Sequence, residues 1–141
     1  MIKFGLDIGG VISKHPEFFR TFMECCPNSK IEFFIITDMH DKTEVMKMLN
    51  DNNIPINEDH VYCADYAKYG EMCKAILLKE LGIDVFVDDF IGYADAWDSS
   101  LGPSPVRLLL MPDPYKPYWS DNWKCDGADF GRRKYKDNTE K

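Results

Sequence analysis

Short runs of continuous apolar residues alternate along the chain with segments in which apolar residues recur every three or four positions. The continuous runs predict buried β-strands over residues 3–8, 32–37, 60–64, 84–88 and 106–111. The spaced positions predict helices over 16–25, 41–52 and 68–81, with a short helix around 92–98. This alternation predicts a three-layer α/β/α, Rossmann-like fold, in which helices cover both faces of a five-stranded, mainly parallel sheet.

The strand–helix alternation ends near residue 111, which divides the chain into three parts. Residues 1–111 are the predicted α/β core, and 141 residues suit a single domain. Residues 112–131 are rich in proline and aromatic residues, and we expect them to pack irregularly on the core or near its site. Residues 132–141 are basic and are expected to form a disordered tail.

Charge and cysteine content limit the classes of partner and the compartment. The chain has 17 Lys and Arg residues against 24 Asp and Glu residues, and its acidic body argues against nucleic acid as a partner. No apolar run approaches the length of a transmembrane helix, and the five cysteines show no C-x-x-C pair and no metal-binding Cys/His spacing. We therefore expect a reduced, cytoplasmic protein that does not bind membranes.

Three of the predicted strands end in polar residues that suit one site. Asp7 lies at the end of the first strand, Thr37 ends the second, and Asp88 and Asp89 end the fourth. In open α/β sheets, ligands bind at the carboxyl ends of the strands. Carboxylates that converge there repel one another, and a hard cation such as Mg²⁺ between them offsets that repulsion.

A carboxylate, a hydroxyl and an ammonium group together suit phosphoryl chemistry. Asp7 is a candidate nucleophile that would form an aspartyl-phosphate. Thr37 and Lys68 would compensate the charge of the phosphoryl oxygens. The backbone N–H groups of Gly9 and Gly10 are further candidates for phosphate binding, because no side chain blocks their approach.

In this order the residues resemble the four motifs of the haloacid dehalogenase (HAD) superfamily of phosphohydrolases. The first motif, D-x-D-x-[T/V] after an apolar strand, is matched by 7–11, and the second, an apolar strand ending in Thr or Ser, by 33–37. The fourth, an apolar strand ending in paired acids, is matched by 85–89. The third, a lysine at the start of the helix before the fourth strand, fits Lys68, with Lys74 as the alternative. The resemblance covers residues 1–111.

The resemblance implies a Mg²⁺-dependent phosphomonoester phosphatase. Asp7 would be the nucleophile and a Mg²⁺ ligand, while Thr37 and Lys68 would be catalytic residues that hold the phosphoryl oxygens. The further metal ligands would be the Gly9 carbonyl, Asp88 and Asp89.

One departure from the family pattern concerns the general acid/base. The second Asp of the first motif is Gly9 here, and in the family that Asp protonates the leaving group and later activates water. Such catalysis typically contributes about 10²–10⁴-fold. His15, Asp38 and His40 are possible replacements, and their spacing singles out none of them. Two functions stay open: a slow phosphatase, and an impaired HAD-like domain that binds Mg²⁺ and a phosphorylated ligand or protein partner without turnover.

The intervals between the motifs leave no room for a cap domain. The segments from Asp7 to Thr37 and from Thr37 to Lys68 each hold one predicted helix and its connections. We therefore expect an open site. Capless members of the family often act on bulky substrates or close the site by oligomerising. The expected partner is a phosphorylated substrate whose identity the sequence does not reveal.

Overall fold

Parallel strands and helices alternate through the described part of the chain. The computed structural model describes residues 1–89 and 107–111, so the predicted helix around 92–98 and the segments 112–131 and 132–141 lie outside it. The strands are β1 (Ile2–Leu6), β2 (Ile31–Thr37), β3 (Val61–Cys63), β4 (Val85–Asp88) and β5 (Arg107–Leu110). The helices are α1 (Pro16–Cys25), α2 (Lys42–Asp51), α3 (Tyr66–Tyr69) and α4 (Cys73–Leu81). The prediction of an α/β fold with a parallel sheet is confirmed.

The sheet has its first strand in the middle. The strands pair in parallel in the order β3-β2-β1-β4-β5. The chain therefore builds outward from β1 on one side and then crosses to the other side at β4. A crevice forms at such a reversal of strand order, at the carboxyl ends of the two strands that flank it. Here those two strands are β1 and β4.

Helices cover both faces of the sheet. In β2, Phe33 and Ile35 pack in the core that contains the buried residues of α1 and α2. The alternate residues Phe34 and Ile36 pack in a second core with the buried residues of α4. Successive side chains of a strand point to opposite faces, so a strand buried on both faces reads as an unbroken apolar run. This is why the strands were recognisable in the sequence.

The helices on the first face present regular apolar stripes. Phe19 and Met23 of α1, and Val45 and Leu49 of α2, are buried at a spacing of four residues. The Asp41 side chain caps α2 by accepting hydrogen bonds from the backbone of its first turn. Across the described part of the chain, every helix falls short of the length and hydropathy that a bilayer crossing requires.

A glycine in β1 lets the central strands pack closely. A Cβ atom on Gly5 would lie 2.9 Å from Cδ1 of the Phe86 ring, which is fully buried. Gly5 pairs in register with Phe86 on the neighbouring strand. The absence of a side chain therefore lets an aromatic ring cover the middle of the sheet.

The predicted helix over 68–81 is broken in the structure. Its sequence forms the end of α3, a 3₁₀ turn over Gly70–Met72, and α4. Gly70 has φ +60° and ψ −139°, a conformation that residues with a Cβ atom rarely adopt. The helix that leads into β4 therefore starts at Cys73 rather than at residue 68.

A charged triplet lies at the opposite, amino-terminal edge of the sheet. His60 immediately precedes β3, and its Nε2 lies 2.9 Å from Glu32 Oε2 while its Nδ1 lies 3.2 Å from Asp59 Oδ1. The hydrogen bond with Glu32 is the main reason that the pKa of His60 is raised. Partial burial lowers this pKa, and Asp59 adds to the increase. Protonated His60 therefore links β2 to the start of β3.

We expect this link to make stability depend on pH. Because the pKa of His60 is raised from 6.5 in the folded state, its contribution is fully present below 6.5 and is lost as the pH rises through the folded-state pKa. Glu32→Gln should therefore lower the melting temperature at about pH 5.5 and have a smaller effect at about pH 9. Thermal melts followed by circular dichroism measure both effects.

The matched control for this pH dependence is Lys47→Gln. It removes the exposed ion pair between Lys47 and Asp51, whose atoms lie 2.6 Å apart. The pKa of Lys47 is raised from 10.5, above the range of the experiment, so the effect of this variant should be equal at both pH values. A Glu32→Gln effect that is also equal at both would contradict the prediction.

Candidate functional site

Three carboxylates and one ammonium group meet in the crevice between β1 and β4. Asp7, Asp88 and Asp89 each offer one oxygen, and these atoms lie within 4.8 Å of one another. Lys74 reaches them from α4, with its Nζ 3.0 Å from Asp7 Oδ1 and 3.0 Å from Asp88 Oδ2. The side chains are buried: Asp7 is 4% exposed and Lys74 is 1% exposed. The structure thus brings together the three acids singled out in the sequence.

The peptide backbone fixes two of these acids directly. The Asp7 N–H donates to the carbonyl of Val87 on β4, at 3.0 Å, which ties the residue after β1 to the neighbouring strand. The carbonyl of Asp88 accepts a hydrogen bond from the N–H of Met111, at 2.9 Å, just beyond β5. Both carboxylates therefore project from backbone that the sheet holds in place, which favours a fixed geometry for a bound ligand.

The cluster carries surplus negative charge. Among these four side chains, three carboxylates face one ammonium group. Burial raises the pKa of Asp7 well above 3.8, and the charge of Asp88 raises it further, while Lys74 opposes both effects. Burial by itself lowers the pKa of Lys74, but Asp7, Asp88 and Asp38 outweigh burial and keep this pKa above 10.5. Lys74 is therefore protonated, and the remaining charge favours a proton or a bound cation among the carboxylates.

The donor atoms fit a hard metal ion. Asp7 Oδ1 is buried, and it forms an ion pair with Lys74 Nζ at 3.0 Å. Carboxylate oxygens are the ligands that hard divalent cations prefer. The cluster of Asp7, Asp88 and Asp89 is thus a candidate metal centre, and its donor set does not select Mg²⁺ over other hard cations. The Gly9 carbonyl as an additional ligand stays a prediction.

Gly10 makes room for one of the acids. Its φ is +75°, and a Cβ atom at this position would collide with the carboxylate of Asp89. The Gly10 N–H donates to Ser13 Oγ at 2.9 Å, so in this structure the amide predicted for phosphate binding is engaged within its own turn. Gly9, by contrast, has φ −64° and has no atom within 4 Å of the position of a Cβ. The two adjacent glycines therefore have different structural roles.

Thr37 lies at the same edge of the sheet, at the end of β2. It is fully buried, and its hydroxyl oxygen accepts a hydrogen bond from the Met39 N–H at 3.2 Å. Its carbonyl oxygen accepts a hydrogen bond from the Ala64 N–H at 2.6 Å. A hydroxyl group that accepts one hydrogen bond still has a hydrogen to donate, which suits contact with an anionic oxygen. The role of Thr37 in phosphate binding stays a prediction.

The structure brings Lys74 to the carboxylates, and it does not bring Lys68. The Lys68 side chain is exposed, and its Nζ lies 5.0 Å from the centroid of the Tyr69 ring. Of the two lysines that the sequence leaves open, the one at the carboxylates is Lys74, because the break at Gly70 makes it the lysine at the start of the helix before β4. The glycine inside the predicted helix is the signal in the sequence that favours Lys74. The catalytic role of either lysine stays a prediction.

Comparisons of the chain with protein-family models, with curated proteins and with solved structures gave no match. The candidate site therefore stands on the positions and chemistry of its own residues.

The two adjacent glycines allow a matched test of the site. Gly10→Ala should reduce the free energy of unfolding by about 1–3 kcal/mol, because the new Cβ adds backbone strain and displaces Asp89. It should also weaken binding of a divalent cation. Gly9→Ala should change the free energy of unfolding by less than about 0.5 kcal/mol, because its φ is ordinary and the space around it is open. Chemical denaturation and calorimetric titration with Mg²⁺ measure these effects, and equal losses in both variants would contradict them.

A pair of lysine variants tests the ion cluster. Lys74→Met should reduce the free energy of unfolding by about 3–5 kcal/mol, because it leaves buried carboxylates without their ammonium partner. Saturating Mg²⁺ should reduce this loss, since a bound cation replaces the missing positive charge. Lys68→Met should leave the free energy of unfolding unchanged, as expected for an exposed side chain. Urea denaturation with and without Mg²⁺ provides the measurement, and similar losses in the two variants would refute the assignment.

Proposed function

We propose that this protein is a Mg²⁺-dependent phosphomonoester phosphatase with a capless HAD-like fold and Asp7 as its nucleophile. The observation that carries the proposal is the buried cluster in which Lys74 contacts both Asp7 and Asp88 at the crevice between β1 and β4. The segment between β1 and β4 supports an open site. Its secondary structure consists of strands of the sheet, the helices that pack on it and short turns, and these elements leave no separate cap domain in that segment.

The positions of the side chains suit attack on phosphorus. A carboxylate oxygen of Asp7 would form a bond to phosphorus while the bond from phosphorus to the ester oxygen breaks. The ammonium group of Lys74 and the hydroxyl of Thr37 would bind phosphoryl oxygens and stabilise their charge. Water would then attack the aspartyl-phosphate, release inorganic phosphate and restore the Asp7 carboxylate. The net reaction consumes one water and produces an alcohol and phosphate.

Surplus charge in the cluster explains why a cation is part of the proposal. Mg²⁺ held by Asp7, Asp88 and Asp89 would supply positive charge for the incoming phosphate. Burial and the Asp88 charge raise the pKa of Asp7, which works against the ionised carboxylate that a nucleophile needs. Lys74 opposes that increase. The chain's own contribution is therefore to hold Asp7 in place and to keep part of its charge compensated.

Gly9 limits the chemistry at the leaving group. Without a carboxyl at this position, the ester oxygen takes its proton from water, so substrates with acidic leaving groups should react fastest. The open space around Gly9 leaves the first motif able to accept the missing side chain. The proposed enzyme is accordingly slow toward alkyl phosphates.

Hydrolysis of an aryl phosphate tests the proposed function. We expect Mg²⁺-dependent release of the phenol by the wild-type protein, and a fall to the uncatalysed rate for Asp7→Asn. Asp51→Asn makes the same chemical change at an exposed position at the end of α2 and should leave the rate unchanged. Melting temperatures of the variants exclude unfolding as the cause. Equal rates for wild type and Asp7→Asn would rule out Asp7 as the nucleophile.

The variant Gly9→Asp provides a gain-of-function arm. It should raise the rate with an alkyl phosphate by about 10²–10⁴-fold, because it supplies a general acid next to the leaving oxygen. The increase with an aryl phosphate should be smaller. If wild type and Gly9→Asp both bind Mg²⁺ and neither hydrolyses either ester, the phosphatase proposal fails.

The second candidate function is binding of Mg²⁺ and a phosphorylated ligand or protein without turnover. The observation that favours it is Gly9, which leaves the position of the family's acid without a side chain. Calorimetry with a phosphate ester and Mg²⁺ would then show binding without product.

We also propose a cytoplasmic location. The four cysteines in the described ranges, Cys25, Cys26, Cys63 and Cys73, are all free thiols, which suits a reducing compartment.

A further inference from the structure

A cavity adjoins the candidate site at the carboxyl ends of β2 and β3. Its volume is about 450 Å³, and it is lined by Asp38, His40, Ala64, Asp65, Tyr66 and Ala67. Two features of the chain join it to the site. Asp38 directly follows Thr37, and the Ala64 N–H donates to the Thr37 carbonyl oxygen at 2.6 Å. The volume falls in the range of small-molecule sites, about 300–1,000 Å³.

The lining of this cavity combines two carboxylates and an aromatic ring with one histidine and two alanines. Asp38 and Asp65 contribute carboxylates, and Tyr66 contributes a ring that is 45% exposed. Asp38 is also within electrostatic reach of Lys74 in the site, where its charge helps to keep that lysine protonated. The nearby cation of Lys68 interacts with Tyr69 and, more weakly, with Asp65. A ligand in the cavity would therefore lie close to the carboxylates of Asp38 and Asp65.

A phosphate ester bound in the site has one substituent, which must extend outward from the cluster of carboxylates. Its phosphoryl group would lie against Asp7, Lys74 and Thr37, as in the proposed function. The cavity begins next to Thr37, at the same edge of the sheet and away from β4. This places open space on the β2–β3 side of the phosphoryl group, where the ester substituent would extend.

We propose that this cavity binds the ester substituent and selects one that carries a positive charge, such as a primary or quaternary ammonium group. This inference rests on the proposed function for the position of the phosphate. Carboxylates of Asp38 and Asp65 complement an ammonium group, and the face of the Tyr66 ring adds a cation–π contact. An anionic substituent, such as a carboxylate or a second phosphate, would meet like charge and be rejected.

The test compares esters that differ in the charge of the substituent. The probes are phosphoethanolamine (cationic), propyl phosphate (neutral and of similar size) and phosphoglycolate (anionic), each with Mg²⁺. We expect kcat/KM for phosphoethanolamine to exceed that for propyl phosphate by about tenfold, and phosphoglycolate to be the poorest substrate. The same esters are titrated calorimetrically, so that a preference is measurable whether or not turnover occurs.

Variants in the cavity test the source of the preference. In the wild-type protein, Asp65 Oδ1 accepts a hydrogen bond from the Lys68 N–H at 3.0 Å. Asp65→Asn removes the negative charge and keeps a side-chain oxygen that can accept this N-cap hydrogen bond. In Asp65→Asn and Asp38→Asn, the ratio between the cationic and neutral esters should fall toward one. The ratio is taken within each variant, so a general loss of activity cancels. Asp51→Asn, on the exposed end of α2, should keep the wild-type ratio.

The outcomes separate this inference from the proposed function. Turnover of aryl phosphate with equal kcat/KM for the cationic and neutral esters would overturn the inference and leave the phosphatase proposal standing. A preference in the calorimetric titrations, without turnover of these esters or of aryl phosphate, would support the cavity and refute the phosphatase proposal. Equal binding of the three esters, or a preference that survives both cavity variants, would overturn the inference.

Discussion

The ammonium group of Lys74, held between the carboxylates of Asp7 and Asp88, is the interaction on which the candidate site depends. Two neighbouring parallel strands that both end in buried acid would otherwise force like charges together where water cannot screen them. A lysine that reaches the same crevice from α4 makes this arrangement possible. It compensates only part of the charge, and the negative charge that remains suits a bound cation.

How much of this site the sequence predicted depends on the kind of signal. Asp7 and Asp88 were predictable because unbroken apolar runs identify strands buried on both faces, and parallel strands bring their carboxyl ends to one edge. The sequence leaves the choice between Lys68 and Lys74 open, because periodicity alone runs through 68–81 as one helix. The conformation of Gly70, which breaks that helix, is a backbone property that apolar spacing does not encode. The glycine in the middle of this pattern therefore moves the start of the helix before β4, so that Lys74 rather than Lys68 lies near that start.

The cavity next to Thr37 was also outside the reach of the sequence. Asp38 and His40 are possible replacements for the missing general acid/base in the sequence. Asp65 and Tyr66 follow a different strand, and only the pairing of β2 with β3 brings the two segments together. The requirement for glycine at position 10 was likewise not visible in the sequence. It arises because the carboxylate of Asp89, far along the chain, occupies the space that a Cβ atom on Gly10 would need. Contacts between distant segments are decided by the order of strands, which a single sequence leaves open.

The order of the strands also bears on how the charged cluster comes to exist during folding. The Lys3 N–H donates to Asp84 Oδ2 across 81 residues of chain, so β4 reaches β1 only after a long loop has closed. Until that docking, Asp7 and Lys74 are present without Asp88. The strand that brings the repelling carboxylates also brings Phe86 and Val87 into the two cores. The repulsion between the carboxylates and the burial of Phe86 and Val87 therefore arise in the same step, when β4 docks. Before that step, Asp88 is not yet close to Asp7.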